Sequence, residues 1–410
     1  MMACWSICFL NGYRMRNGAP RSCATMRVGS TASTQPDALH RISNGRTTMK
    51  RVTRMGFAAF VLAVTVAASD ARELTYDNHL PPQHPVNVAM EDYFERVKTD
   101  TDGSLDFKMY VGGALGGGNA LLGILRDGLS DAGMLNPVYD PSQLKVTALL
   151  SELMIADPRV LVGAMNEMVN LDCPGCADEL LAVNAIPIMS FAVPSFQLLC
   201  NQPLKSLDDA KGKRVRAVGS LALIAKDFGM VPVNLKSDEV YEGLQRGQVE
   251  CAAAPFDWLE TNNLKEVADN LITTPLGAIG GLLHLAVNTN AWEAMSDEEK
   301  RTMIDATPET LAAITFAYIA GSEKALENSI AAGAEAYPMG DDMHAVLEAF
   351  RAEEVDRIVA KGDDLGITDT PHLFEIYRNL IEKWEGIVAG PGSSEEGYAE
   401  ALRQEIYSKL

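Results

Sequence analysis

Three groups of residues have types and spacings that could do chemistry on their own. Cys173-Pro174-Gly175-Cys176 has the spacing of a thioredoxin-type redox pair, but Asp178 and Glu179 follow where a low-pKa thiolate would want positive charge. A local structural disulfide, or a pair of idle thiols, is the expectation, and the lack of a nearby histidine argues against zinc. Gly112-Gly113-Ala114-Leu115-Gly116-Gly117-Gly118 could cradle a phosphate ahead of a helix, yet no Gly-Lys-Ser/Thr follows it and the dinucleotide spacing is absent. It reads as a turn. His79 and His84 flank Leu80-Pro81-Pro82-Gln83 at the end of the first strand, where α/β sheets bind ligands. A metal there would need a third ligand that the sequence does not supply, so neither metal nor cofactor is expected. No Gly-x-Ser-x-Gly or His-Glu-x-x-His occurs, so no nucleophile has a placed base.

Composition limits what these residues can serve. The chain has 410 residues, 47% hydrophobic and 22% charged, with a net charge of −20. Residues 1–71 carry nine Lys/Arg against Asp37 and Asp70, a balance of +7 that leaves −27 for residues 72–410. So acidic a body excludes nucleic acid as a partner. The basic front reads as an export signal: Lys50, Arg51 and Arg54 precede a 14-residue apolar run, Met55 to Ala68, ending in Ser69-Asp70-Ala71. That run is shorter than the roughly 18 residues of a membrane span, and cleavage after Ala71 is expected rather than an uncleaved anchor. Residues 1–48 read as an extension upstream of a better start at Met49. The exported remainder is periplasmic, where disulfides are permitted.

Alternating patterns place the elements. A strand over 73–78, a helix over 86–99, a strand over 105–111, a helix over 120–127 and a strand over 131–135 open a β-α-β-α-β order, the mark of a parallel sheet. Strands are expected over 186–192 and 195–200, then a second β-α-β-α-β run: 213–217, 221–228, 231–235, 238–246 and 249–253. Residues 282–287 read as one more strand. Ser296-x-x-Glu299 is a capping box opening a helix from Asp297 to about Ala336, interrupted by Pro308. Forty residues would span about 60 Å, so this helix must cross the molecule. Helices over 343–361 and 372–387 and a short last one follow the pattern, with His344 and His372 on solvated faces.

Lys211-Gly212-Lys213-Arg214-Val215-Arg216-Ala217, then Glu239-Val240-Tyr241-Glu242-Gly243-Leu244-Gln245-Arg246-Gly247-Gln248-Val249-Glu250, then Ala254-Pro255-Phe256-Asp257-Trp258 carry a resemblance. In this order, with His84-Pro85, Thr101-Asp102-Gly103 and the long helix, the chain resembles the solute-binding proteins of TRAP transporters (tripartite ATP-independent periplasmic transporters, dicarboxylate-binding type). The resemblance implies an α/β, two-lobed periplasmic-binding-protein fold with a long helix spanning both lobes. The lobes would be residues 72–193 with 283–321, and 194–282 with 322–410. The implied function is that of a periplasmic receptor, not an enzyme, which closes on a small organic acid and presents it to the small and large integral membrane subunits.

The family pattern places the carboxylate-gripping arginine on Arg216, whose fork of N–H donors suits a carboxylate; Arg214, on the same strand face, is the alternative. His79 and Asn136 fall at strand ends facing the ligand. Phe196, with Gln197 beside it, stands where several members carry a second arginine. Ala254 replaces the usual amide, and Asp257 and Trp258 follow it. Two lost polar contacts and added aromatic surface point to a monocarboxylate with an apolar or aromatic body, stacked on Phe196 or Trp258, unless Trp258 is simply core. An exported α/β enzyme using Cys173 and Cys176, or a ligand-sensing domain of the same fold, are the other readings.

Overall fold

In the computed structural model, which describes residues 72–410, the opening alternation becomes three parallel strands: β1 (Arg72–Asp77), β2 (Leu105–Tyr110) and β3 (Ala132–Leu135), with β1 central. The expected leader 49–71 and extension 1–48 lie outside the described residues. The helix Pro85–Asp100 backs these strands with Val86, Met90, Tyr93, Phe94 and Val97 buried at helical spacing. His84 caps it, Nδ1 accepting from Val86 N–H at 3.3 Å, and Pro85 occupies the first-turn position where no N–H is needed. A second parallel set follows: β5 (Arg214–Arg216) between β6 (Val231–Val233) and β7 (Cys251–Ala254).

Two very long antiparallel strands join the sets. β4 (Ala185–Cys200, 16 residues) and β8 (Asn270–Asn288, 19 residues) pair from Ala185↔Asn288 to Cys200↔Asn270, and the sheet order is β2-β1-β3-β8-β4-β7-β5-β6. The expected break at Pro194 is a register shift between Val193 and Phe196, where a missing N–H is tolerated. The Gly-rich stretch that hid the first half of β8 serves the same end. Gly277 (φ +137°) and Gly281 (φ +79°) adopt backbone that L residues avoid. A Cβ at Gly277 would stand 2.6 Å from Met154 Cβ, and one at Gly281 would strike Ser151 Oγ.

Residues 137–184, which show no pattern in the sequence, hold the helices Lys145–Leu150, Pro158–Glu167 and Pro174–Ala182. Nine of the ten residues of Pro158–Glu167 are buried, its polar Asn166 and Glu167 included. Both cysteine pairs are bridged. Cys173–Cys176 closes the first turn of Pro174–Ala182, and Cys200–Cys251 staples β4 to β7 as directly opposed residues, Cα atoms 4.0 Å apart.

The long helix runs Asp297–Ala331, 35 residues and about 50 Å. Its capping box is formed: Glu299 N–H donates to Ser296 Oγ at 3.2 Å and Ser296 N–H to Glu299 Oε2 at 2.7 Å. It ends short of Ala336 because Glu335–Tyr337 leave to form β9, parallel to β8. The helix touches both halves of the sheet. Tyr93 Oη donates to Met303 O at 2.9 Å near one end, and Asp257 N–H donates to Ser322 Oγ at 3.2 Å toward the other. The single helix expected over 343–361 is two, Asp341–Ala352 and Glu354–Asp364, parted at Glu353. The helix Thr370–Ala389 packs against Pro158–Glu167, and Glu395–Glu405 lies along the long helix, with Tyr398 Oη donating to Arg159 O at 2.6 Å. Trp384 lies over Gly163, where any side chain would collide with its ring, and donates from Nε1 to Glu167 Oε2 at 2.9 Å. Tyr407 Oη donates to Ile188 O at 3.1 Å. Among the described residues no helix is long and apolar enough to cross a membrane.

Candidate functional site

Arg216 ends β5 with its side chain buried, 1% exposed, while Arg214 on the same strand is exposed and ion-paired with Glu250. That contrast settles which arginine faces the interior. Arg216 Nε donates to Leu235 O at 2.9 Å and Nη1 to Ala253 O at 3.0 Å, so two backbone carbonyls orient the guanidinium from one side. Its carbon sits 5.1 Å from the Trp258 ring centroid, a cation–π contact. Burial lowers its pKa from the usual arginine value, offset in part by Tyr139, and it stays charged. Among the described residues no carboxylate lies within ion-pair distance of it. Such a group is costly unless an anion completes it.

The guanidinium lines a narrow cavity between the two strand sets. Its walls are largely apolar: Phe191, Val193 and Phe196 from β4, Ile279 and Leu282 from β8, and Met134 at the end of β3. Four other expected residues stand on this cavity: His79, Asn136, Phe196 and Trp258. Trp258 is both wall and core, 5% exposed, its face toward Arg216 and its ring edge-on to Phe196 with centroids 6.1 Å apart. Three expected residues do not line it. Gln197 alternates to the other face of β4, opposite Ala254 on β7, and Ala254 is buried in that ladder. Asp257 is buried behind Trp258, near Thr261 Oγ1 at 3.2 Å and His84 Nε2 at 3.9 Å; desolvation raises its pKa well above the carboxylate range.

Tyr139, Ser237 and Tyr318 were not foreseen. Tyr318 reaches the cavity from the middle of the long helix, at a sequence distance no local pattern reveals. Tyr139 follows β3 in Asn136-Pro137-Val138-Tyr139, a polar-then-proline turn at a strand end that was its only local signal. Ser237 closes the cavity from the β6 side: its N–H donates to Tyr139 Oη at 3.1 Å, and its Oγ is 2.8 Å from His79 Nε2. The Gly-rich turn meets the same segment, Gly118 N–H donating to Asp238 Oδ2 at 3.3 Å. That stretch holds no phosphate pattern but does join the two strand sets over the cavity.

Three buried histidines surround the site. Desolvation lowers all three, with His84 and His284 each brought to about 3, so they are neutral at neutral pH. A folded pKa below the unfolded value near 6.5 contributes stability at neutral pH that is lost as pH falls from about 6.5 toward 3. At pH 5 the loss is about 2 kcal/mol for each of His84 and His284. His84→Asn keeps the helix cap and removes the titration. Urea unfolding at pH 7.5 and pH 5 should therefore show wild type losing about 2 kcal/mol more than the variant; equal losses would contradict a neutral, buried His84.

Comparison with known proteins agrees with this architecture. The family described as DctP, bacterial extracellular solute-binding protein, family 7, matches residues 77–361. The ectoine-binding periplasmic protein of Halomonas elongata is 30% identical over 172 residues, 38% of this chain and 50% of that protein, so the chain spans half the length of this relative. The crystal structure of a TRAP solute-binding protein from Rhodoferax ferrireducens, with copurified benzoate, superimposes with a TM-score of 0.67 at 18% identity, covering 77% of this chain and 99% of that one. A marine-metagenome TRAP protein specific for pyroglutamate gives a TM-score of 0.67 at 16% identity, covering 76% and 99%. At these identities the two structures establish the shared two-lobed fold alone.

Proposed function

Because this chain belongs to family 7 of the bacterial extracellular solute-binding proteins, we propose that it is the periplasmic receptor of a TRAP transporter, exported through a signal peptide cleaved after Ala71. Its ligand is a monocarboxylate with an apolar or aromatic body, gripped by Arg216 and handed to the small and large integral membrane subunits. The observation that carries this reading is the buried guanidinium of Arg216, oriented by two carbonyls and lacking any carboxylate partner among the described residues. A ligand carboxylate is the missing partner, and in a dry cavity the pair gains strength. The apolar walls suit a body without further charge. Benzoate and pyroglutamate, each a single carboxylate on a small ring, are bound by proteins of this fold.

The lobes in this reading are residues 72–193 with 283–321, and 194–282, with the C-terminal helices riding on the first. Closure bends β4 and β8 and brings Ser237 and Asp238 down on His79, Tyr139 and Gly118. Binding without catalysis is favoured because Cys173 and Cys176 are bridged and buried, 3% and 0% exposed, away from any attacking thiolate.

A thermal-shift series tests the proposal. Aromatic and cyclic monocarboxylates at a hundred times their Kd should stabilise the protein by about 2.7 kcal/mol, whereas the matching primary amides should leave its Tm unchanged. Equal shifts from acids and amides would defeat the role given to Arg216.

A further inference from the structure

Opposite Arg216, the first lobe presents polar groups to the same cavity that the protein leaves without partners. Asn136, 7% exposed, stands at the first position of the turn after β3, where a side chain commonly caps the backbone, yet it makes no such bond. Its Oδ1 is buried and unpartnered among the described residues. His79, 4% exposed, is held through Nε2 by Ser237 Oγ at 2.8 Å, which fixes the ring while Nδ1 stays buried and unpartnered. Of the other cavity residues of this side, Leu80, Met134 and Val138 are apolar, and the Tyr139 hydroxyl is engaged by Ser237 N–H at 3.1 Å. Buried polar groups are nearly always paired, so two unpaired ones lining one cavity mark what is missing from it.

Both groups are neutral. A carboxamide and an imidazole each offer a donor or an acceptor, and neither balances a charge. A second carboxylate placed between them would meet two neutral groups, since Arg216 is taken by the first and Lys236, its Nζ 4.3 Å from the Tyr139 ring centroid, does not line the cavity. A hydroxyl, or a ring N–H beside a carbonyl, gives and takes one hydrogen bond each and satisfies both.

Resting on the carboxylate reading above, we infer that the ligand carries, besides the carboxylate held by Arg216, a neutral hydrogen-bonding group seated between Asn136 and His79, and that dicarboxylates are rejected. The specificity of the receptor then lies on the first lobe and its anchor on the second.

Isothermal titration with matched ligands tests this, first on the wild-type protein and then on Asn136→Leu. Benzoate is compared with its three hydroxy isomers and with phthalate, and cyclopentanecarboxylate with pyroglutamate. At least one hydroxybenzoate, or pyroglutamate, should bind tenfold or more tightly than its parent, about 1.4 kcal/mol, and phthalate should bind more weakly than benzoate. In Asn136→Leu the ratio of substituted to parent affinity should fall to within threefold of one. Parent acids that bind as tightly as every substituted one overturn the inference alone. So does a loss in Asn136→Leu that falls equally on parent and substituted acids, which would put Asn136 on the carboxylate. Absence of binding by every acid overturns the Arg216 reading and this inference with it.

Discussion

Arg216→Ala should lower affinity for the best-bound acid at least a hundredfold. Among the described residues the guanidinium is the one cation lining the cavity, and its position is fixed by Leu235 O, Ala253 O and the face of Trp258 rather than by the ligand. Little reorganisation therefore accompanies binding, and the loss falls on the ion pair itself. Truncating one partner of a buried, hydrogen-bonded charge pair costs about 2 to 5 kcal/mol. Folding should suffer less than binding: the variant orphans two carbonyls but also removes a charge whose burial is only partly offset by Tyr139, Glu239 and Asp238. Arg216→Lys should fall between, since an ammonium cannot offer two parallel donors to a carboxylate and two to the backbone at once. Titration calorimetry on the three proteins decides the matter. An Arg216→Ala affinity within threefold of wild type would show that the carboxylate lies elsewhere.

The second large effect concerns Cys200–Cys251. The bridge closes a loop with a sequence separation of 51, and the chain-entropy argument gives about 4 kcal/mol for a loop of that length. Replacing both with serine should lower unfolding stability by about that amount, as should reduction of the wild type in urea. Cys173–Cys176, separated by 3, constrains the unfolded chain far less, and its double serine variant should fall well short of the first. Affinity should change less than tenfold in either case, because Ala253, whose carbonyl holds Arg216, is also held by the β4–β7 ladder from Gln197↔Ala254 to Cys200↔Cys251. A stability loss below about 1 kcal/mol for the Cys200/Cys251 variant would mean that the ladder alone confines the unfolded loop.

Much of this was legible in the sequence where the signal is local. β1 to β3 and β5 to β7 alternate with short helices, and the capping box at Ser296 announces the long helix, because each pattern is complete within one element. Arg216 was readable because its neighbours repeat a recognisable strand. The long strands were not: Pro194 and Gly280-Gly281 look like stops, and only the register shifts of a bent ribbon show why they are tolerated. Nor was Pro158–Glu167, buried on all sides, or the cross-strand cysteine pair, whose partners are opposed only after β4 and β7 pair. Within the site, residues at strand ends were found and residues brought in from afar, Tyr318 above all, were not. Asp257 and Gln197 were misplaced for a smaller reason. Each adjoins a cavity residue in sequence, and alternation or a turn sends its side chain elsewhere.

The shared ribbon of β4 and β8 also restricts how such a receptor can be rebuilt. A chimaera that swaps one lobe for a relative's cannot be made with a single splice, because the backbone passes between halves along both strands and again along the Asp297–Ala331 helix. The natural graft points face each other: Val193 and Ile279 are registered partners in the middle of the ribbon. Joining there keeps the ladder whole, while a junction on one strand alone would leave the other with a foreign partner and an exposed, apolar edge open to pairing with a second molecule.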